Sequence, residues 1–246
     1  VINILVILIS MSTCTVTINL AVYNGEKYIR QCLDSVLAQT YPRELIEINI
    51  LDNASTDSTI KTLESLQLPK LTFIRSEVNL GMWPGQEELL KHSHGEYIVV
   101  LSVDVILDKN FVKNAVEVME EDSAIGAVQA KIYKYELEKV STINGSTVLS
   151  SPSKDHQLPT VIDTLGFQIF RSRRIVNIGH GESDRGQYDQ ECTAFTQSYG
   201  EPKEIFAVEG AVPVFRRQAL ENCRLQSQLL LKLSSNRLLE LSFNKD

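Results

Sequence analysis

The sequence holds no pair of cysteines close enough to bind a metal or run a redox cycle. Cys14, Cys32, Cys192 and Cys223 are scattered, and no two lie within four residues of each other. That excludes a C-x-x-C motif, and scattered thiols in a chain of this size point to a reducing compartment. The common phosphate cradles are missing too. There is no G-x-x-x-x-G-K-[ST] loop, and no G-x-G-x-x-G follows a strand, which speaks against a P-loop NTPase or a nicotinamide dehydrogenase. Positive charge is in deficit, with 24 Lys and Arg against 31 Asp and Glu and a net charge of −7. Such a chain has no global field to attract nucleic acid or anionic lipid, so a bound polyanion must be held locally. No apolar run approaches the ~20 residues of a membrane span. Val1–Ile9 is apolar but short, and the first basic residue is Lys27, so a secretory leader is not expected. This stretch reads as a buried strand, or as residues ahead of a start at Met11. His92, His94, His156 and His180 form no cluster and read as solvated surface residues.

What is present is enough apolar residue, 43% of 246 positions, to build a full core without staples. From Thr15 to Tyr135 strand and helix patterns alternate. Thr15–Val22, Ile46–Leu51, Leu71–Ile74, Tyr97–Leu101 and Ile125–Ile132 read as buried strands. Between them lie helices with apolar stripes. The first carries Tyr28, Ile29, Cys32, Leu33, Val36 and Leu37, the second Ile60, Leu63 and Leu66, and the fourth Phe111, Val112, Ala115, Val116 and Met119. Asn79–Gly85 reads as a loop before a helix that runs to Ser93. Strands separated by single helices imply βαβ units and a mostly parallel sheet, an α/β fold. After Tyr135 the regularity fades. Ser141–Pro159 reads as a loop, Val161–Ile178 as two short apolar stretches, and Gly179–Glu204 as irregular. Ile205–Phe215 reads as a strand interrupted at Glu209-Gly210, with a helix starting at Arg216.

Parallel sheets bind ligands beyond the carboxyl ends of their strands, and polar residues gather there. Tyr23 and Asn24 follow the first strand, Asp52 and Asn53 the second, and Asp104 the fourth. A carboxylate at the end of an apolar strand suits a hard cation, Mg2+ or Mn2+, that bridges a diphosphate. It can equally cap the following turn. Asp52 can accept a hydrogen bond from a nucleobase or a ribose hydroxyl, yet the DNASTD segment around it is also a good helix start.

In their order and spacing, several segments resemble family 2 glycosyltransferases. They are TVTINLAVYNGEKYIRQCLDSVLAQTYP, IEINILDNASTDST, NLGMWPGQEELLKHSHGEYIVVLSVDVIL and VEGAVPVFRRQAL, with a weaker, rhamnosyltransferase-like likeness over Ile162–Asp189. The resemblance covers roughly Thr15–Leu220. It implies a GT-A fold, a Rossmann-type sandwich, and transfer of a sugar from a nucleoside-diphosphate donor, a UDP- or dTDP-sugar. By that resemblance Ala21, Val22, Tyr23 and Asn24 line the nucleoside pocket and Asp52 contacts the base. Asn79 and Gly81 shape the loop near the donor. Asp104 is the last carboxylate of a D-x-D element, in which Ser102 stands where the family has an acid.

A second departure concerns the base that takes the acceptor's proton in inverting transfer. Related enzymes carry it in an acidic E-D-x-D-L element after the Arg-Arg pair. Here the acids after Arg217 are Glu221, Glu240 and Asp246, and none are paired. Glu209 is the best-placed substitute. The expectation is one domain over residues 15–221, with a donor half over 15–135 and an acceptor half over 136–221. Residues 1–14 are an extension, and 222–246 an atypical, Leu-rich tail that reads as a truncated or frame-shifted end. The expected activity is inverting, metal-dependent sugar transfer to a saccharide or lipid-linked acceptor in cell-surface polysaccharide synthesis. The expected place is the cytoplasm, with peripheral contact at the inner face of the membrane left open. The competing expectation is a non-catalytic nucleotide-sugar-binding remnant.

Overall fold

The computed structural model describes residues 15–66, 71–136, 140–143, 146–149, 161–188 and 205–223. The expectations for Val1–Ile9, Cys14, His156, Cys192 and the Leu-rich tail beyond 223 lie outside the described residues. The first half of the chain runs β1 (Val16–Val22), α1 (Ile29–Leu37), β2 (Ile46–Asp52), α2 (Thr59–Ser65), β3 (Leu71–Arg75), α3 (Met82–Leu90), β4 (Tyr97–Leu101) and α4 (Phe111–Glu121). Short strands follow: β5 (Ala127–Val128), β6 (Ile132–Tyr133), β7 (Val140–Ile143), β8 (Ser146–Leu149), β9 (Ile162–Thr164), β10 (Phe167–Ile169), β11 (Ile175–Asn177) and β12 (Val214–Arg216).

The main sheet has the order β3-β2-β1-β4-β12-β5. β1, β2, β3 and β4 are mutually parallel, and β12 enters antiparallel between β4 and β5. The sheet is thus mostly parallel and flanked by helices, the expected α/β class. β1 sits centrally, paired on both sides, and Val16, Ile18, Leu20 and Val22 are sealed from solvent. They pack with Ile29, Cys32, Leu33 and Val36 of α1 and with Val112, Val116 and Met119 of α4. Each such aliphatic residue contributes ~1.5–3 kcal/mol by leaving water. The other face of β1 is polar. Asn19 donates to the Ser93 hydroxyl at 2.9 Å and accepts from the Asn49 amide at 3.2 Å, which seats the end of α3 on the sheet.

Several expectations need correction. Ile125–Ile132 is not one strand; its ends enter two sheets, β5 beside β12 and β6 beside β9. Ile205–Phe215 forms only the start of β12, because Glu209–Val212 turns before reaching the sheet edge. Asn79–Gly85 is not all loop, since α3 begins at Met82 and holds Pro84 and Gly85 in its first turn, where proline costs no hydrogen bond. Part of Ser141–Pro159 is an antiparallel pair, β7 with β8. Leu37, expected on the buried stripe of α1, faces solvent.

Candidate nucleotide-sugar site

Three neighbouring parallel strands, β2, β1 and β4, end side by side, and the chain turns tightly at each end. At Gly25 an added Cβ would come 2.6 Å from Val22 Cγ2 and 2.9 Å from Val103 Cγ2. Only glycine therefore lets the β1 turn lie against the Ser102–Asp104 turn. The β1 and β2 turns are stitched together through their polar side chains. The Asn24 N–H donates to Ser55 Oγ at 2.9 Å, and the Thr56 N–H donates back to Asn24 Oδ1 at 2.8 Å. The Gly25 N–H donates to Thr59 Oγ1 at 2.8 Å, and the Glu26 N–H to Asp57 Oδ2 at 3.1 Å. The Glu26 carboxylate in turn accepts the Ser58 N–H at 2.8 Å. Asn24 has φ +50°, a left-handed backbone that asparagine tolerates. Of the residues read from the sequence as a helix start, Ser55 and Thr56 bind the neighbouring turn, whereas Asp57 Oδ1 also accepts the Thr59 N–H at 2.9 Å and the Thr59 hydroxyl at 2.5 Å at the start of α2. The N-cap of α2 is Ser58, whose side chain makes no capping bond.

Asp52 ends β2 and is 1% exposed. Its Oδ1 accepts the Ser55 N–H at 3.3 Å, a long bond that leaves acceptor capacity. Tyr23 is 49% exposed beside it in the chain order of the turns, and Val22 is sealed beneath. Asn53 is the clamp of the region, a role the sequence reading left unassigned. Its amide donates to Asn79 Oδ1 at 3.0 Å and to the Gly81 carbonyl at 3.2 Å, while its Oδ1 accepts the Leu80 N–H at 2.8 Å. Asn79 Oδ1 also accepts the Gly81 N–H at 2.9 Å, and Gly81 takes φ +85°, which favours glycine. The loop before α3 is thereby fixed to the end of β2. An Asn–Asn partnership across 26 residues leaves no local periodic signal, so only tertiary structure reveals it.

Ser102 and Asp104 leave the end of β4. The Ser102 N–H donates to the Ala211 carbonyl at 2.8 Å, which brings Glu209–Ala211 to this strand end. Asp104 is exposed, and its carbonyl accepts the Tyr135 hydroxyl at 2.9 Å. Burial, and then the Asp104 charge, push the Tyr135 phenol up to about 12. The same two causes push the buried Cys32 thiol far above its usual range. Glu209 sits at the interruption expected in the Ile205–Phe215 segment. Its Oε2 accepts the Ala211 N–H at 2.7 Å within its own turn, and its N–H donates to Gln129 Oε1 at 2.7 Å.

Among the described residues no three of His, Cys, Asp and Glu form a metal cage. The donor set at the β4 end is the Asp104 carboxylate and the Ser102 hydroxyl. Mg2+ commonly uses one or two carboxylates and completes its shell with water and substrate phosphates. These residues therefore fit a cation that arrives with a diphosphate rather than a resident ion. The described histidines pair elsewhere: His94 Nδ1 lies 2.8 Å from a Glu47 carboxylate oxygen, and His180 Nδ1–H donates to the Asp163 carbonyl at 2.8 Å. An open cleft of about 530 Å³ between the end of α1 and the start of α4, lined by Thr40, Tyr41, Asn110 and Lys113, contains none of the residues above.

The sequence model described as glycosyl transferase family 2 matches residues 17–180. Poly-beta-1,6-N-acetyl-D-glucosamine synthase of Staphylococcus epidermidis is 26% identical over 172 residues, 67% of this chain and 41% of that protein. A dolichyl N-acetyl-alpha-D-glucosaminyl phosphate 3-beta-D-2,3-diacetamido-2,3-dideoxy-beta-D-glucuronosyltransferase of Methanococcus voltae is 26% identical over 149 residues, 56% of this chain and 46% of that protein. The chain thus spans less than half the length of these curated relatives. Among solved structures, a mannosyltransferase of Pyrobaculum calidifontis in complex with GDP-Man and Mn2+ aligns at 27% identity and TM-score 0.46, over 52% of this chain and 39% of that one.

Proposed function

The chain belongs to glycosyl transferase family 2, and from that premise we propose that it moves a sugar from a UDP- or dTDP-sugar to a saccharide or lipid-linked acceptor in polysaccharide synthesis. The observation that carries the reading is the stitching of the β1 and β2 ends, with the β4 turn packed against them at Gly25, into one polar edge with Asp52 buried and Asp104 exposed. The relatives' names support the chemistry, one naming a polysaccharide product and the other a lipid-linked sugar.

In this reading the backbone at Ala21 and Val22 and the side chains of Tyr23 and Asn24 hold the nucleoside. Asp52 accepts a hydrogen bond from the base. Asn79 and Gly81, locked by Asn53, form the wall beside the donor. Asp104, with Ser102, holds Mg2+ or Mn2+, which when bound offsets charge on the leaving diphosphate. Transfer is inverting, and Glu209, two residues before Ala211 and its contact with Ser102, is the candidate base. Releasing its bond to the Ala211 N–H would free it to accept the acceptor's proton. The protein is read as acting in the cytoplasm, near the inner membrane face where lipid-linked acceptors lie.

The test is release of nucleoside diphosphate from UDP- and dTDP-sugars, with and without saccharide acceptors, in Mn2+ or EDTA. Metal-dependent release is expected, at a rate that Asp104→Ala lowers to background. Release unchanged in EDTA and in Asp104→Ala would remove the metal role. No release and no binding of any nucleotide sugar would remove the reading.

A further inference from the structure

We propose that the indole of Trp83 is the platform on which a pyranose ring of the saccharide acceptor stacks; the proposal rests on the sugar-transfer reading above. Trp83 lies in the first turn of α3 and is 58% exposed, with Met82 beside it 40% exposed. A large exposed aromatic is an informative departure from the usual distribution of residues. The Asn53 clamp on Asn79, Leu80 and Gly81 holds the start of this helix in place, so the indole is borne on an ordered support.

Its position is given by Gly210. A Cβ there would lie 3.2 Å from Met82 Cε and 3.6 Å from Trp83 Cζ2. The next residue, Ala211, bonds Ser102 at the end of β4, and the preceding one is Glu209. The indole edge is therefore beside the segment that returns from the second half of the chain to the β4 end.

Charge decides what fits. From Val78 to Gln86 there is no charged residue, and from Ser76 to Leu90 there are Glu77, Glu87 and Glu88 but no Lys or Arg. Within that stretch no cationic side chain is available to pair with a phosphate or an anionic lipid headgroup. A neutral pyranose offers a C–H face to the indole and hydroxyls at its rim, the combination of apolar wall and few polar groups typical of small-molecule sites. Glu209 and the peptide groups of 209–211 lie at that rim.

Trp83 is the single tryptophan of the chain, so its fluorescence reports this one position. The probes are methyl β-glucoside, methyl α-rhamnoside and a β-linked N-acetylglucosamine disaccharide, each titrated without nucleotide. At least one should quench and blue-shift the emission saturably. Trp83→Leu, followed by calorimetry, should weaken that sugar on the order of tenfold and leave UDP affinity unchanged. Gly210→Val, whose side chain would press on the indole edge, should remove the spectral response while UDP still binds. If UDP binds but no probe moves the emission, or if Trp83→Leu binds the sugar as well as the wild type, the platform is overturned. A response seen only with a UDP-sugar would assign the indole to the donor and overturn the acceptor role. If UDP does not bind at all, the sugar-transfer reading fails, and a surviving sugar response would show the platform without it.

Discussion

Two buried side chains at the end of β2 have different work, and substitution separates them. Asp52 is sealed apart from an open acceptor position, so on the proposed reading it meets the base and not the phosphates. Asp52→Ala should weaken UDP about tenfold to a hundredfold, the loss of one hydrogen bond to a charged group at ~1.5–3 kcal/mol, and leave pyrophosphate unaffected in parallel calorimetry. Equal losses for both ligands would leave Asp52 only its bond to the Ser55 N–H. Cys32 offers a second check at this scale. It is buried, and its thiol is held well above the usual range by burial and by Asp104. Since the thiolate is the reactive form, Cys32 should stay unmodified by iodoacetamide at pH 8 while exposed Cys223 is alkylated, as read by peptide mass spectrometry. Rapid native modification of Cys32 would mean that α1 opens readily.

Among the elements, the loop before α3 and the turn carrying Asp184 each hang on one polar residue. Asn53→Ala removes three bonds that hold Asn79–Gly81 and leaves the Leu80 N–H short of an acceptor. A cost of about 1–3 kcal/mol is expected, with faster amide exchange confined first to residues 79–82. Asp184 accepts the Tyr133 hydroxyl at 2.6 Å and Lys131 Nζ at 2.9 Å. Those two bonds hold its carboxyl down at about 2, against an ordinary 3.8. A depressed carboxylate stabilises fully above its unfolded pKa and loses that contribution as pH falls through the folded one. The turn over 183–188 should therefore remain docked on β6 at pH 4 and loosen near pH 2. Asp184→Asn should abolish that pH dependence in amide exchange. Docking lost already at pH 4 in the wild type would contradict the assignment.

The elements β1 to β4, α1 and α4 were legible in the sequence because each carries its own period and its own apolar face. So was the convergence of Tyr23, Asn24, Asp52 and Asp104, which follows from parallel strands alone. What escaped is what only long-range pairing creates. β12 is three residues long, the end of a segment that reads as a longer strand, and its place between β4 and β5 has no local signal. The hairpin β7–β8 hides in a Ser- and Thr-rich stretch that reads as loop. The Asn53 clamp and the partners of Ser55 and Thr56 join residues 26 to 32 apart, where no local rule applies.

For the whole molecule, the Arg216-Arg217 pair joins the two parts of the chain. Arg216 donates to the carbonyls of Ile125 and Met119 and to the Tyr97 hydroxyl, and its guanidinium lies 5.3 Å from the Tyr97 ring centre. Arg217 donates to the carbonyls of Gly95 and Ser93. Together they satisfy carbonyls in the last turn of α4 and in the turn between α3 and β4, and fix β12 against β4, which in turn carries Ala211 to Ser102. Arg216→Met should cost on the order of 1.5–3 kcal/mol in chemical denaturation. On the proposed reading the ends of β1, β2 and β4 form one nucleoside-diphosphate site whose binding needs a cation at Asp104. Calorimetric titration of the wild type and Asp104→Ala with UDP, in Mn2+ and in EDTA, decides this. Tight binding is expected only for the wild type with Mn2+, and weak, metal-independent binding for Asp104→Ala. Equal UDP affinity in Mn2+ and EDTA for both proteins would contradict it.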